Sequence, residues 1–238
     1  MATIGGPDNI IEDGLVFYVD PANKDSYVSG SLDTFSLINP SITGSLKNDI
    51  SFSSNNAGTW DFDGTDDYID CGSNLGINNA STLTFNFWWK SDNLVQCGFL
   101  GDAGSDTSTN VFHLYTWVGG SELYVFFKSG GTGGTNYVSN FNNLVTTNQW
   151  YMLTLIFDGT QGSNNDRLKI HLNGESNNIL NNYDTIPTTF TNASDNFFIG
   201  EGVSTDMAGE ISNVQIYNKA LSAAEVKQNY NALKGRFI

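Results

Sequence analysis

Apolar and polar residues alternate with a period of two along most of this chain, and glycine, asparagine, serine or threonine breaks the alternation every few residues. In LTFNFWWK (83–90) Leu83, Phe85, Phe87 and Trp89 fall on one face, with Thr84, Asn86, Trp88 and Lys90 on the other. DRLKIHL (166–172) sets Leu168, Ile170 and Leu172 against Arg167, Lys169 and His171. Both predict half-buried strands. YMLTLIFDG (151–159) is apolar on both faces, as suits a strand inside a sheet covered on both sides. GLVFYVD, TWDFD, DYIDC, VFHLYTW, ELYVFFK, NFFIG and GEISNVQIY are further strands, with SGGTGGTN and DGTQGSNND as punctuation. About a dozen short strands at even spacing predict an all-β fold, a two-sheet antiparallel jelly-roll sandwich.

Helical spacing emerges only near the end. In LSAAEVKQNYNALKG, Ser222 is the N-cap and Glu225 completes a capping box; Leu221 and Val226 are placed as a hydrophobic staple, and Gly235 is the stop. One short C-terminal helix is predicted over about 222–234, docking through Val226, Tyr230 and Leu233. No linker or repeat marks a second domain. The expected organisation is an N-terminal arm over 1–13, carrying Ile10 and Ile11, and a single domain over 14–238.

Among 238 residues, 39% are hydrophobic, enough for one packed core. The net charge of −15 repels phosphate backbones and anionic lipid, which argues against nucleic-acid and membrane partners and leaves cations and neutral ligands. MATIGGPDNIIEDG lacks the basic and apolar stretches of a signal peptide, and no apolar run is long enough to span a bilayer, so folding in a cytoplasm is expected. Cys71 and Cys97 fit no zinc spacing and make no disulfide framework; two buried free thiols are expected.

The densest chemistry is FDGTDDYIDC, with Asp63, Asp66, Asp67 and Asp70 in ten residues. It is not an EF-hand loop, because Gly64 comes too early and Gly72 stands where the bidentate Glu belongs. Two readings stand: turn-makers bonding their own backbone, or oxygen ligands for a hard cation. A catalytic pair is not indicated. The six glutamates are isolated, Gly64 ends the strand that carries Asp61 and Asp63, and His113 and His171 lie in no nucleophile motif. The chain is therefore expected not to be an enzyme. For sugar binding, the outward candidates are Trp88, His113, Tyr115, Trp117, Tyr124 and Phe126, whose rings would stack on pyranose faces; core packing is the competing role for each.

GLVFYVDPANKDSY, FDGTDDYID, LTFNFWWK, QWYMLTLIFDG with LKIHLNGE, FFIGEG and GEISNVQIYNKALSAAEVKQNYNALKGRF occur in the order found in laminin-G-like, concanavalin-A-like jelly rolls, and the chain resembles them from about Gly14 to Phe237. The resemblance implies a structural Ca²⁺ held by Asp20 or a neighbouring carbonyl, the Gly64 carbonyl with Asp63 or Asp66, and a side chain of GEISNV. Ser212 stands where relatives commonly carry Asp, leaving Asn213 as the polar ligand. Glycan-cleaving relatives carry two carboxylates about 5 Å apart on a Glu-x-Asp-x-Glu or Glu-x-Asp-x-x-Glu strand, which this chain lacks. GLVFYVDPAN and NYNALKGRF are similar to single-domain bacteriophage virion proteins. That likeness implies a virion-surface protein made in the host cytoplasm, a capsid decoration or fibre component. Its expected partners are other virion subunits and cell-surface or environmental glycans, in a symmetric homo-oligomer or alone. The alternatives are a structural docking protein with no glycan ligand and a glycoside hydrolase.

Overall fold

Alternation becomes pairing in two antiparallel sheets. A computed structural model of the chain describes residues 9–238 apart from 106, 118, 177–179, 183, 192–195 and 203–204, with backbone alone for 180–182. The eight-stranded sheet runs Glu175–Ser176, Leu168–Leu172, Tyr151–Asp158, Thr82–Ser91, Ala208–Tyr217, Thr59–Asp63 and Ser51–Ser53, and Leu15–Val19 also pairs with Ala208–Tyr217. The nine-stranded sheet runs Leu180–Asn182, Thr132–Val138, Leu123–Ser129, Val111–Thr116, Gly98–Asp102, Phe197–Ile199, Tyr68–Asp70, Thr43–Lys47 and Asp33–Phe35. The architecture is the expected jelly-roll-like sandwich with one C-terminal helical segment.

Between the sheets lies the main core, where Phe85 stacks on Phe112 at 4.8 Å and on Phe197 at 5.9 Å. Each such ring contributes about 1.5–3 kcal/mol by leaving water. Cys71 and Cys97 are buried free thiols, and burial pushes the Cys97 thiol up to about 11. Both are therefore poor nucleophiles at neutral pH.

The closing strand, Ala208–Tyr217, organises the eight-stranded sheet. On one side it pairs with Thr82–Ser91, with a bulge between Ile211 and Val214. On the other its first half pairs with Thr59–Asp63 and its second half with Leu15–Val19. The change of partner falls at Ser212 and Asn213, where an extra residue in the ladder re-aims side chains.

The helix Ala223–Leu233 starts on the expected capping box: Ser222 Oγ accepts from the Glu225 N–H, and the Glu225 carboxylate accepts from the Ser222 N–H at 2.8 Å. Leu221 and Val226 are both buried in one cluster, as a staple requires. The end differs from expectation. Gly235 does not stop the helix, which passes directly into a tighter turn over Lys234–Arg236. Among the described residues, no helix is long and apolar enough to cross a membrane.

Docking of this helix corrects one reading of LTFNFWWK. Thr84, Asn86 and Trp88, expected to face water, are fully buried. Trp88 stacks on Phe237 at 4.3 Å and on Tyr230 at 5.6 Å, in a second core outside the sheet. Polar residues beneath the helix bond one another: Thr154 donates to Asn86, Asn86 to Gln215, and Asn229 of the helix to Tyr217. Of the arm expected over 1–13, residues 1–8 lie outside the described residues. Ile10 and Ile11 pack on the second core, and the Ile11 N–H donates to Asn229 Oδ1 at 2.8 Å.

A second correction concerns SGGTGGTN. Only Gly130 and Gly131, both at positive φ, make the turn; Ser129 ends the strand Leu123–Ser129, and the rest belongs to the strand Thr132–Val138. Gly133 adopts φ 115°, and a Cβ there would sit 2.1 Å from the Phe127 carbonyl oxygen, so glycine serves the pairing that it was expected to interrupt.

Candidate glycan-binding face and acidic corner

On the outer face of the nine-stranded sheet, register assembles a row of aromatic rings. Core-facing Phe112, Leu114, Leu123, Val125 and Phe127 leave the alternate residues pointing away from the core. Tyr124 is the direct cross-strand partner of Tyr115 on one side and Tyr137 on the other. Ring centroids are 5.5 Å apart for Tyr115–Tyr124 and 5.7 Å for Tyr124–Tyr137. Trp117 extends the row just past the end of its strand, 5.9 Å edge-on from Tyr115. Trp117 is 38% exposed and Tyr115 8%, with Tyr124 and Tyr137 half-buried.

The Tyr124 hydroxyl donates to the Glu122 carboxylate. Burial and this carboxylate hold the Tyr124 pKa well above the usual phenol range, so the ring stays neutral. Glu122, Tyr124, Thr135 and Tyr137 line an open cavity of about 350 Å³. The exposed Asp184 accepts from the Thr135 N–H at 2.8 Å, but its carboxylate lies against Gly134, the partner of core-facing Phe127, and does not line this cavity. Aromatic faces beside carboxylate and hydroxyl groups match a sugar's apolar ring face and its ring of hydroxyls.

Of the five expected sugar-binding residues, Tyr115, Trp117 and Tyr124 are brought together. Trp88 lies in the second core on the other sheet. His113 is on the correct sheet but only 4% exposed; its Nε2 is 3.0 Å from the Gly104 carbonyl oxygen, and the ring closes over Gly101. Phe126 is nearly covered, with the Lys128 ammonium 5.0 Å above its ring. Sequence reasoning missed Tyr137 because its strand had been assigned to a loop. A two-residue Gly130-Gly131 turn, once recognised, places Tyr137 opposite Tyr124.

The expected cation ligands separate into two places. Asp63 pairs with Ala208, whereas Asn213 lies five residues along the same strand, about 17 Å away, too far for one ion to bridge. Around Asp20 and Ser212 a guanidinium already supplies the positive charge. Arg236 Nη1 bonds Asp20 Oδ2 at 2.8 Å, Nη2 bonds Ser212 Oγ at 3.0 Å and the Gly58 carbonyl at 3.3 Å, and Nε bonds the Asn56 carbonyl at 3.2 Å. Asp20 further accepts from Tyr18 Oη and the Ala22 N–H. These oxygens do not fit a metal ion while Arg236 is among them. Asn213 is fully buried, and neither polar atom of its side chain has a partner.

The second place is the turn after Thr59–Asp63. Asp63, Asp66 and Asp67 each present a carboxylate oxygen within 4.8 Å of the others. Gly64, at φ 77°, makes the turn, and the Thr65 N–H donates to Asp63 Oδ1. Asp67 is 2% exposed; its Oδ2 accepts from the Asp63 N–H at 2.9 Å, and its Oδ1 is buried without a partner. Burial, with the Asp63, Asp66 and Asp49 charges, pushes the Asp67 carboxyl up to about 6. Three hard oxygen donors, one of them orphaned, fit a divalent cation. Asp67 is the ligand that sequence reasoning left among the turn-makers.

Carboxylates also meet across strands. Asp61 lies opposite Glu210, which bonds Lys90 and Thr59.

A family model described as the Concanavalin A-like lectin/glucanases superfamily matches residues 63–227. No curated protein matches the chain by sequence. Among solved structures, the chain is similar to domain 4 of an extracellular arabinanase from Geobacillus stearothermophilus, in complex with arabinotriose. Identity is 18%, the TM-score is 0.65, and 92% of this chain and 100% of that one are covered. It is similar to the receptor binding domain of botulinum neurotoxin D at 13% identity and TM-score 0.66, covering 92% of this chain and 52% of that one. It also resembles Trypanosoma rangeli sialidase in complex with sialic acid, at 12% identity and TM-score 0.62, covering 94% of this chain and 34% of that one. At these identities the likeness is one of fold, and the chain spans about half of the toxin domain and a third of the sialidase.

Proposed function

Because the chain belongs to the concanavalin A-like lectin/glucanase superfamily, we propose that it is a non-catalytic glycan-binding domain whose ligand lies along Trp117, Tyr115, Tyr124 and Tyr137. The observation that carries this reading is the register that makes Tyr115, Tyr124 and Tyr137 direct neighbours on an outer sheet face, beside the Glu122 carboxylate. The arabinanase domain, matched over its whole length, is in complex with arabinotriose, which supports a sugar as the class of ligand. The lack of a Glu-x-Asp-x-Glu strand supports binding without cleavage.

In this reading the Asp63–Asp66–Asp67 corner holds Ca²⁺ as a structural ion. The test is a glycan array run with millimolar Ca²⁺ and again with chelator. Binding that chelator abolishes ties the ion to the site, and binding indifferent to chelator separates them. A folded sample that binds no glycan in either buffer ends the glycan reading.

The finer reading, a capsid decoration or fibre component on a virion surface, made in a host cytoplasm, is supported by the wording of GLVFYVDPAN and NYNALKGRF. Mass spectrometry of purified particles tests it, and absence of the chain from them rejects it. The structural alternative, docking on virion subunits or on a second copy without any glycan, has its own support. Val28, Leu32, Phe35 and Ile38 are exposed around Asp33–Phe35, the edge strand of the nine-stranded sheet.

A further inference from the structure

We propose that the tyrosine row takes neutral, hydroxyl-rich oligosaccharides and rejects anionic ones, an inference that rests on the glycan-binding reading above. Its ground is the charge built into the cavity. Glu122 lines it and is held beside Tyr124 by the phenol hydroxyl, which donates to its carboxylate. A carboxylate only accepts hydrogen bonds. A sugar hydroxyl donates to such a group, whereas a uronate, sulfate or sialate brings a second anion and no proton.

The Lys128 ammonium lies over the Phe126 ring, two residues along the strand from Tyr124, with Tyr124 between it and Glu122 in strand order. The molecule as a whole adds to the effect, with 25 acidic residues to 10 basic. Tyr115, Tyr124, Tyr137 and Trp117 supply the uncharged part of the surface, which stacks on the ring face that neutral and anionic sugars share. Discrimination between the two classes therefore falls to Glu122.

The experiment is an array printed in matched pairs, each neutral oligosaccharide beside its uronate, sulfated or sialylated form, with affinities then measured by calorimetry for the pairs that bind. Neutral members should bind about tenfold or more tightly than their anionic partners at low salt, and the ratio should shrink in 0.5 M NaCl. Glu122→Gln should move the ratio toward one, whatever it does to neutral affinity itself. Anionic members binding as tightly as neutral ones, or a ratio that this variant leaves unmoved, overturns the inference while glycan binding stands. Binding to no member by a protein with parental circular dichroism overturns the glycan reading and this inference with it.

Discussion

Tyr124 touches every part of the proposed site: it lies between two tyrosines, its hydroxyl is held by Glu122, and it lines the cavity. Tyr124→Ala should weaken glycan binding by roughly tenfold, about 1–2 kcal/mol, with thermal stability close to parental. Tyr124→Phe, which keeps the ring, should lose less; equal losses would assign the role to the hydroxyl instead of the stacking face. Arg236 is a different kind of residue, a cation supplied by the chain itself to the buried Asp20. Arg236→Gln leaves that carboxylate unpaired and should cost about 3 kcal/mol in denaturant unfolding, part of it recovered in millimolar Ca²⁺. A variant as stable as the parent would show that Asp20 does not depend on the guanidinium.

At Asp67 the sign of the pH effect is fixed by burial. The folded carboxyl, pushed up to about 6, holds its proton more tightly than the unfolded one near 4. Its contribution is therefore most favourable below about pH 4 and is lost as pH rises through 6. Asp67→Asn should be more stable than the parent by about 1–2 kcal/mol at pH 7 in chelator and equal to it near pH 4. Saturating Ca²⁺ should reverse the order at pH 7, because only the parent keeps the third carboxylate.

At the scale of elements, the C-terminal helix turns an outer sheet face into a second core. Asn229 ties the helix to Tyr217 and to the Ile11 backbone, and it is fully buried. Asn229→Ala should cost about 1–3 kcal/mol by leaving those partners unsatisfied beneath the helix. Phe237→Ala removes one ring from the stack on Trp88 and Trp150 and should shift tryptophan emission to the red; an unchanged spectrum would mean that the remaining helix keeps both indoles dry. The helix itself was legible, since its capping box and staple are local patterns with local causes. Its coverage of Thr84, Asn86 and Trp88 was not, because a polar–apolar alternation looks the same whether its polar face meets water or a second layer of hydrogen bonds.

For the whole molecule, an excess of fifteen negative charges makes folding work against self-repulsion. Raising NaCl from 20 to 200 mM at pH 7 should raise the melting temperature by a few degrees, and the gain should be smaller at pH 5, where several carboxylates approach protonation. A melting temperature indifferent to salt would place the acids too far apart to interact.

What the sequence determined alone is what local spacing determines: the all-β class, most of the strands, the helix and its cap, the buried thiols, and the cluster of acids at a glycine turn. Tertiary structure decided which side chains meet. Tyr137 joined Tyr124 through a Gly-Gly hairpin, Trp88 went into the second core, His113 was covered within its own sheet face, and Arg236 reached Asp20 from 216 residues away. The physical reason is that alternation reports that a strand has two faces, while register, bulges and the layer packed above it settle what each face touches.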